Sequence, residues 1–289
     1  MEYEGIVIRP PSEANSLILQ ATFGCSHNKC TFCPTYKGTK FRVKDFEQFK
    51  ADVDEMSRYR WKRVFLADGD ALILSNRMLI PRLQYIREKL PWVERVGIYG
   101  NGKAVLKKSP AELAQLKANG LGIIYFGLES GDPETLKSMI KGKPIEKLVE
   151  AGRKVRAEGI KLSVTVLLGI AGAERGAAHA KATGEALTAM DPDFVGALTV
   201  MVVPNTALYE LQERGEFELP GEFDMLAELY LMLKHTTMTS GMFMSNHASN
   251  YVPLKVKMPE EKAAALAQLR KIIDSKDRSA LKPEYMRAL

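Results

Sequence analysis

A chain of 289 residues with 46% hydrophobic composition can bury a substantial core, which sets it apart from small disulfide-stapled folds. Its formal charge of +6 permits attraction to RNA, phosphates or anionic metabolites, yet the basic residues are scattered among acids with no long basic tail. The opening residues lack the basic start and long apolar core of a signal peptide, and no later stretch is long and charge-free enough to span a bilayer. A soluble cytoplasmic protein with no membrane association is therefore expected.

In chain order, residues 16–22 (SLILQAT) predict a short strand running into a cysteine loop, and residues 44–59 place Phe46, Phe49, Val53 and Met56 at helical spacing. A strand at 62–68, a helix at 76–90 and a strand at 93–100 follow. Ser109, Pro110 and Glu112 then supply a hydroxyl cap, a first-turn proline and a capping-box acid for the next helix, which Gly120 stops. The apolar run at 122–130 predicts a fourth strand, and Asp132-Pro133-Glu134 a new helix start. Ile145, Leu148, Val149 and Val155 mark one face of a helix over 143–159, before a strand at 160–169. A helix at 174–190 and a strand at 194–204 complete six strand segments. Apolar strands separated by amphipathic helices imply a parallel α/β sheet with right-handed crossovers, either a partial (β/α)6 barrel or an open sheet. Its functional residues are expected at the C-terminal strand ends.

The chain divides in this reading into a core over 1–210 and an extension over 211–289. The extension predicts helices separated by a polar, methionine-containing segment, with Met232, Met238, Met242 and Met244 as core fillers. No coiled-coil pattern predicts an oligomer, so the oligomeric state stays open.

All three cysteines fall within nine residues, and an odd thiol makes a disulfide framework a poor account of them. Cys25, Cys30 and Cys33 form C-x4-C-x2-C, close enough along the chain for three thiolates to hold a metal centre. His27 inside the loop keeps structural zinc as an alternative. A 4Fe-4S cube held by three cysteines would leave one iron open to a non-protein ligand.

With CSHNKCTFC (25–33) after the first strand, ADGDAL (67–72) after the second, YFGLESG (125–131) at the fourth and VTVLLGIAG (164–172) at the fifth, the chain resembles the radical S-adenosylmethionine (SAM) superfamily over its first two thirds. The usual family loop has three residues between its first two cysteines; this chain has four, Ser26 to Lys29. The resemblance implies a partial barrel, a 4Fe-4S cluster ligated by Cys25, Cys30 and Cys33, and SAM chelating the fourth iron. It places Phe32 near adenine and Gly69 and Asp70 near the methionyl amine, where ADGD replaces the common Gly-Gly-Glu. It further implies Glu129 and Ser130 at the ribose or amino end of SAM, Ser163 and Thr165 at the ribose, and Arg175 on the SAM carboxylate. The implied chemistry is electron transfer from a reduced cluster to SAM, giving methionine and a 5'-deoxyadenosyl radical that abstracts hydrogen from a substrate. An electron donor such as flavodoxin or ferredoxin is the implied protein partner.

A small-molecule substrate is expected, since no separate RNA-binding or peptide-binding domain is apparent; RNA modification is the enzyme alternative. A noncatalytic electron-transfer or zinc-structured interaction protein is the non-enzyme alternative. In SNHASNY (245–251), His247 is a candidate proton mediator and Asn246 and Asn250 are candidate substrate clamps. Tyr99, with Asn101, is a further candidate at the end of the third strand. Tyr36, Lys37, Lys40 and Arg42 are candidates for an anionic substrate. His179 and His235 are expected to be structural.

Overall fold

The computed structural model describes residues 1–288. The chain folds into two compact units interleaved in sequence. The first is built from Met1–Asn28, Thr35–Phe126 and Lys154–Leu162, the second from Lys29–Pro34, Gly127–Arg153 and the chain from Ser163 onward.

In the first unit, β1 (Leu17–Gln20) runs towards a short antiparallel pair, β2 (Thr22–Phe23) and β3 (Arg42–Val43), which flanks the cysteine loop in sequence. Then come α1 (Phe46–Met56), β4 (Arg63–Ala67), α2 (Asn76–Lys89), β5 (Arg95–Tyr99), α3 (Gly102–Lys107), α4 (Pro110–Ala118) and the start of β6 (Leu121–Glu129). The strands lie parallel in the order β1, β4, β5, β6, with Leu17 beside Val64, Val64 beside Val96 and Ile98 beside Ile124. Leu19, Phe65, Leu66 and Phe126 are fully buried, as strands covered on both faces require. The helix starts follow the sequence: Asp45 accepts from the amides of Glu47 and Gln48, and Ser109 and Glu112 form the expected capping box.

The second unit carries the end of β6, α5 (Pro133–Ser138), most of α6 (Ile145–Ala157), β7 (Lys161–Leu168) from Ser163, α7 (Gly172–Met190) and β8 (Phe194–Thr199). It continues with α8 (Ala207–Glu213), α9 (Glu222–His235), β9 (Gly241–Met244), β10 (Lys255–Met258) and α10 (Lys262–Ser275). β7, β8 and β9 are parallel, and β10 closes the edge antiparallel to β9.

All six predicted strands form, and the α/β class holds. The last of them, β8, stops at Thr199 instead of reaching residue 204. The described residues from 211 onward belong to the second unit and add two strands, β9 and β10, where the sequence predicted only helices and a polar segment. Four residues of Gly, Met and Phe are too short a run, and too poor in β-branched side chains, to announce a strand. Pairing with β8 imposes it. Met232 and Met238 are buried as expected, whereas Met242 and Met244 are only half-buried because Phe243 takes the fully buried position between them.

α7 and α9 pack closely because α7 offers a glycine at the crossing. A Cβ on Gly184 would stand 2.7 Å from both the His235 Cβ and the Met232 carbonyl oxygen. Gly184→Val is expected to lower stability by about 1–3 kcal/mol through overpacking. A urea midpoint equal to that of the wild type would remove Gly184 as the determinant of this contact.

Candidate functional site

In the first unit the loop after β4, Asp68-Gly69-Asp70, is held against the residues around Cys25. A Cβ on Gly69 would fall 2.5 Å from the Tyr36 ring and 3.1 Å from the Cys25 Cβ, so only glycine allows this backbone approach. Asp70 is fully buried. Its carboxylate accepts from the Asn101 amide at 3.1 Å, from Asn101 Nδ2 at 2.7 Å and from the Ser26 hydroxyl. Asn101 in turn caps α3 through the Ala104 amide at 2.9 Å. Asp70 thereby ties the residue after Cys25 to the ends of β4 and β5. Asp68 accepts from the Gly24 amide at 3.2 Å, and burial pushes its carboxyl up to about 6.

Tyr99 ends β5 and stands edge-on to Phe65 and Tyr125, with ring centroids 4.9 and 6.1 Å away. Glu13, fully buried, accepts from Arg95, Ser16 and the Tyr125 hydroxyl. Burial and the Glu13 carboxylate push the Tyr125 phenol well above its ordinary value. Nothing in the local sequence marks Glu13, which sits among prolines and serine and looks like part of a turn.

Cys25, Cys30 and Cys33 are each part-exposed, and none is in a disulfide. Residues 29–34 belong to the second unit, where Thr31 donates its amide to the Met139 carbonyl at 3.2 Å and accepts from the Leu208 amide at 3.0 Å. Phe32, half-buried, lies between these anchors and Cys33. Among the described residues no three His, Cys, Asp or Glu side chains are gathered closely enough to hold a metal ion. The fit to a cluster therefore rests on the donor set, three part-exposed thiols that suit iron-sulfur ligation.

At the end of β6 in the second unit, Glu129 has φ +66°, a left-handed conformation that is costly for a side chain of this size. Its carboxylate pairs with Lys141 Nζ at 2.9 Å. Ser130 is fully buried, and its hydroxyl lies 2.8 Å from His179 Nδ1. His179 Nε2 lies 3.0 Å from the Leu167 carbonyl, which only accepts, so Nε2 bears the hydrogen and Ser130 donates to Nδ1. Burial lowers His179 to about 4 and keeps it neutral. Its structural role is as expected.

Arg175 is already engaged, donating to both Asp132 oxygens at 3.0 Å and pairing with Glu134 at 2.8 Å. Asp132 also caps α5 through the Thr135 amide. Reaching an external carboxylate would require Arg175 to leave these partners.

The strand faces of this unit alternate sharply. Val164, Val166, Val195, Ala197 and Phe243 are fully buried on one face. On the other, Ser163 and Thr165 of β7 are half-exposed, beside Phe194 and Gly196 of β8 and then Met242 and Met244 of β9. The loop after β9 carries His247, whose Nδ1 accepts from the Ser249 amide at 3.2 Å and lies 2.9 Å from the Ser249 hydroxyl. Burial lowers the His247 pKa, and Lys282 lowers it further. Asn250 is buried, with its amide nitrogen donating to the Ala197 and Ser245 carbonyls and its oxygen accepting from Thr199. It braces the loop and is not placed as a substrate clamp; Asn246 is exposed.

Glu228 on α9 escaped the sequence reading, although an acid amid the apolar run DMLAELYLML was a usable signal. It is 3% exposed, accepts from the Gly169 amide at 2.8 Å with one oxygen, and lies 3.9 Å from His179 Nε2. Burial, with Asp224 adding a smaller push, raises it from 4.5 to about 7. Its stabilising proton is fully held below pH 4.5 and lost as pH rises towards 7, whereas the contribution of neutral His179 is full above pH 6.5 and lost as pH falls towards 4. The stability advantage of the wild type over Glu228→Gln is therefore expected to shrink by about 3 kcal/mol from pH 4.5 to 7, read by urea unfolding across pH. A difference constant across that range would remove Glu228 as a titrating group.

The sequence profile of the radical SAM superfamily matches residues 19–175. An uncharacterized protein of Methanocaldococcus jannaschii is 23% identical over 254 residues, covering 82% of this chain and 76% of that protein. A second, methylthiotransferase-named protein of the same archaeon is 26% identical over 145 residues, covering 48% of this chain and 32% of that protein. Among solved structures, methylornithine synthase superposes with a TM-score of 0.55 at 18% identity, covering 77% of this chain and 63% of that one. The chain thus spans less than two thirds of the second relative and of the synthase, and at this identity the structural likeness shows the fold alone, the α/β partial barrel. With a profile match over more than half its length, the chain belongs to the radical SAM superfamily of enzymes, whose cofactors are a 4Fe-4S cluster and SAM.

Proposed function

We propose that this protein is a radical SAM enzyme that reductively cleaves SAM and modifies a small molecule. The observation that carries the first part is the family match over residues 19–175, which contains all three cysteines and the ADGD and GLES segments. Loaded with cluster and SAM, such a site supplies a 5'-deoxyadenosyl radical for hydrogen abstraction.

In this reading Cys25, Cys30 and Cys33 would hold the cluster, and Phe32 would serve the adenine of SAM. Gly69 brings backbone close to Cys25, and Asp70 fixes the Ser26 turn through its hydroxyl while its carboxylate polarises the site for the methionyl amine. Glu129, strained and anchored by Lys141, and Ser130, oriented by His179, serve the ribose or amino end of SAM, with Ser163 and Thr165 as further ribose contacts. Arg175 meets the SAM carboxylate only by exchanging it for Asp132 and Glu134. Tyr99 and His247 are the candidate groups for the substrate, His247 as a neutral proton mediator. A one-electron donor of the flavodoxin or ferredoxin type is the protein partner, and cysteines outside any disulfide suit a reducing cytoplasm.

The half-exposed face of β7, β8 and β9 favours a small molecule over RNA. From Ser163 to Met244 it carries Ser, Thr, Phe, Gly, Leu and Met, and its charged side chains are Lys255 and Lys257, opposite Met244 and Met242 on β10 at the sheet edge, two isolated cations that fall short of a surface that tracks phosphates. A substrate with an apolar body and few charges suits it.

Anaerobic reconstitution, reduction and addition of SAM are expected to give 5'-deoxyadenosine with the wild type and none above the no-enzyme background with Cys33→Ala. Four bound irons and verified reduction without any 5'-deoxyadenosine would sink the assignment. Steeply salt-dependent RNA binding by the intact protein would turn the substrate reading to RNA.

A further inference from the structure

The segment at 282–287 is clamped onto the loop that carries His247. Arg287 is 8% exposed, and its Nε donates to the Ser249 carbonyl at 2.7 Å. Its Nη1 donates to the Tyr251 hydroxyl at 2.6 Å and to both Glu284 oxygens at 2.6 Å, and the guanidinium lies 4.1 Å over the Tyr251 ring. Lys282 adds two more bonds, from its amide to the Tyr251 carbonyl at 2.8 Å and from Nζ to the Ala248 carbonyl at 3.0 Å. Guanidinium geometry suits this task because a planar fork of donors reaches several acceptors at once while its face covers an aromatic ring.

The consequence passes to His247 through Ser249. The Ser249 hydroxyl accepts from the Thr199 amide at 3.2 Å at the end of β8, which leaves its own hydrogen for His247 Nδ1. The Ser249 amide also donates to Nδ1, so both groups require a lone pair there. A neutral imidazole accepting at Nδ1 carries its hydrogen on Nε2. Among the described residues no protein group takes up that Nε2 hydrogen.

We propose that Arg287 is a positioning residue: by pinning Ser249 and Tyr251 it locks His247 in the Nε2–H tautomer and presents Nε2 to the substrate. The presentation to substrate rests on the reading of His247 given above. The lock itself does not, because it is a property of the protein without SAM. Burial and, after it, the Lys282 charge oppose protonation of His247 and support the neutral form.

The test is nitrogen NMR of the full-length protein with labelled histidine, with His247 assigned among the four histidines by His247→Gln. Amide exchange over residues 249–251 is followed in parallel. In the wild type His247 is expected to be neutral with hydrogen on Nε2. In Arg287→Ala the tautomers are expected to average and exchange at 249–251 to rise about tenfold or more, with ethylguanidinium restoring both. Arg287→Lys keeps the charge beside Glu284 but loses the fork, and is expected to show the same loosening in part; it decides the matter by the same signals if Arg287→Ala does not fold. Wild-type tautomer and exchange in the variant that folds would overturn the proposal. Because the measurement uses no SAM, a missing 5'-deoxyadenosine signal overturns the enzyme reading and leaves the lock standing.

Discussion

A carboxylate or imidazole taken out of water must find hydrogen bonds inside the protein or give up its charge. The loops at the C-terminal strand ends of each unit are built on that constraint. Asp70 finds such bonds in Asn101 and Ser26, and so couples the cysteine loop to the turns after β4 and β5. His179 gives up its charge, and a neutral ring serves the turn after β6 and the last residues of β7 with one nitrogen each. Glu228 stands between these cases: burial raises its carboxyl to about 7, and the one bond it accepts, from the Gly169 amide, offsets that only in part while its other oxygen has no partner. Removing any of these groups leaves its partners buried and unpaired, a larger loss than the hydrogen bond itself.

The same constraint explains what the sequence could and could not disclose. The six main strands were legible because continuous apolar runs bounded by glycine and helix caps leave little choice of element. The cysteine loop, Gly69 and Glu129 were legible because they sit at fixed places relative to those strands. Arg175 looked available because a first-turn arginine carries no mark of its partner; Asp132 claims it only once α5 and α7 are in place. The roles of Glu13, Glu228 and Arg287 were invisible for a related reason, even though Glu228 stands out as an acid in an apolar run. Each is a charged residue whose role comes from groups 38 to 112 residues away in sequence, such as Tyr125, Gly169 and Ser249. Local pattern reading has no access to pairings of that range.

β9 and β10 show the limit from the other side. GMFM has little intrinsic strand preference, and tertiary pairing overrides it. Missing β9 also misplaced two methionines, since Met242 and Met244 share a strand face with Phe194 and Gly196 of β8 and are not core filler. The thioether suits such a face, being apolar and adaptable in shape.

The profile match ends at Arg175, yet much that would discriminate one substrate from another lies beyond it. β8, β9, the His247 loop and its Arg287 clamp all belong to the later part of the chain, as does the α9 carboxylate that holds the turn after β7. A division of labour follows from this placement. The part shared with the superfamily holds the groups matched to cofactor chemistry, whose demands are the same in every member. The later part presents a strand face that is apolar over β8 and β9 and edged by Lys255 and Lys257 of β10, with the His247 imidazole on the loop after β9. A radical abstracting hydrogen from carbon needs its target held within a short reach, and an apolar face secures a hydrocarbon body through contact area without competing for the charges that bind SAM.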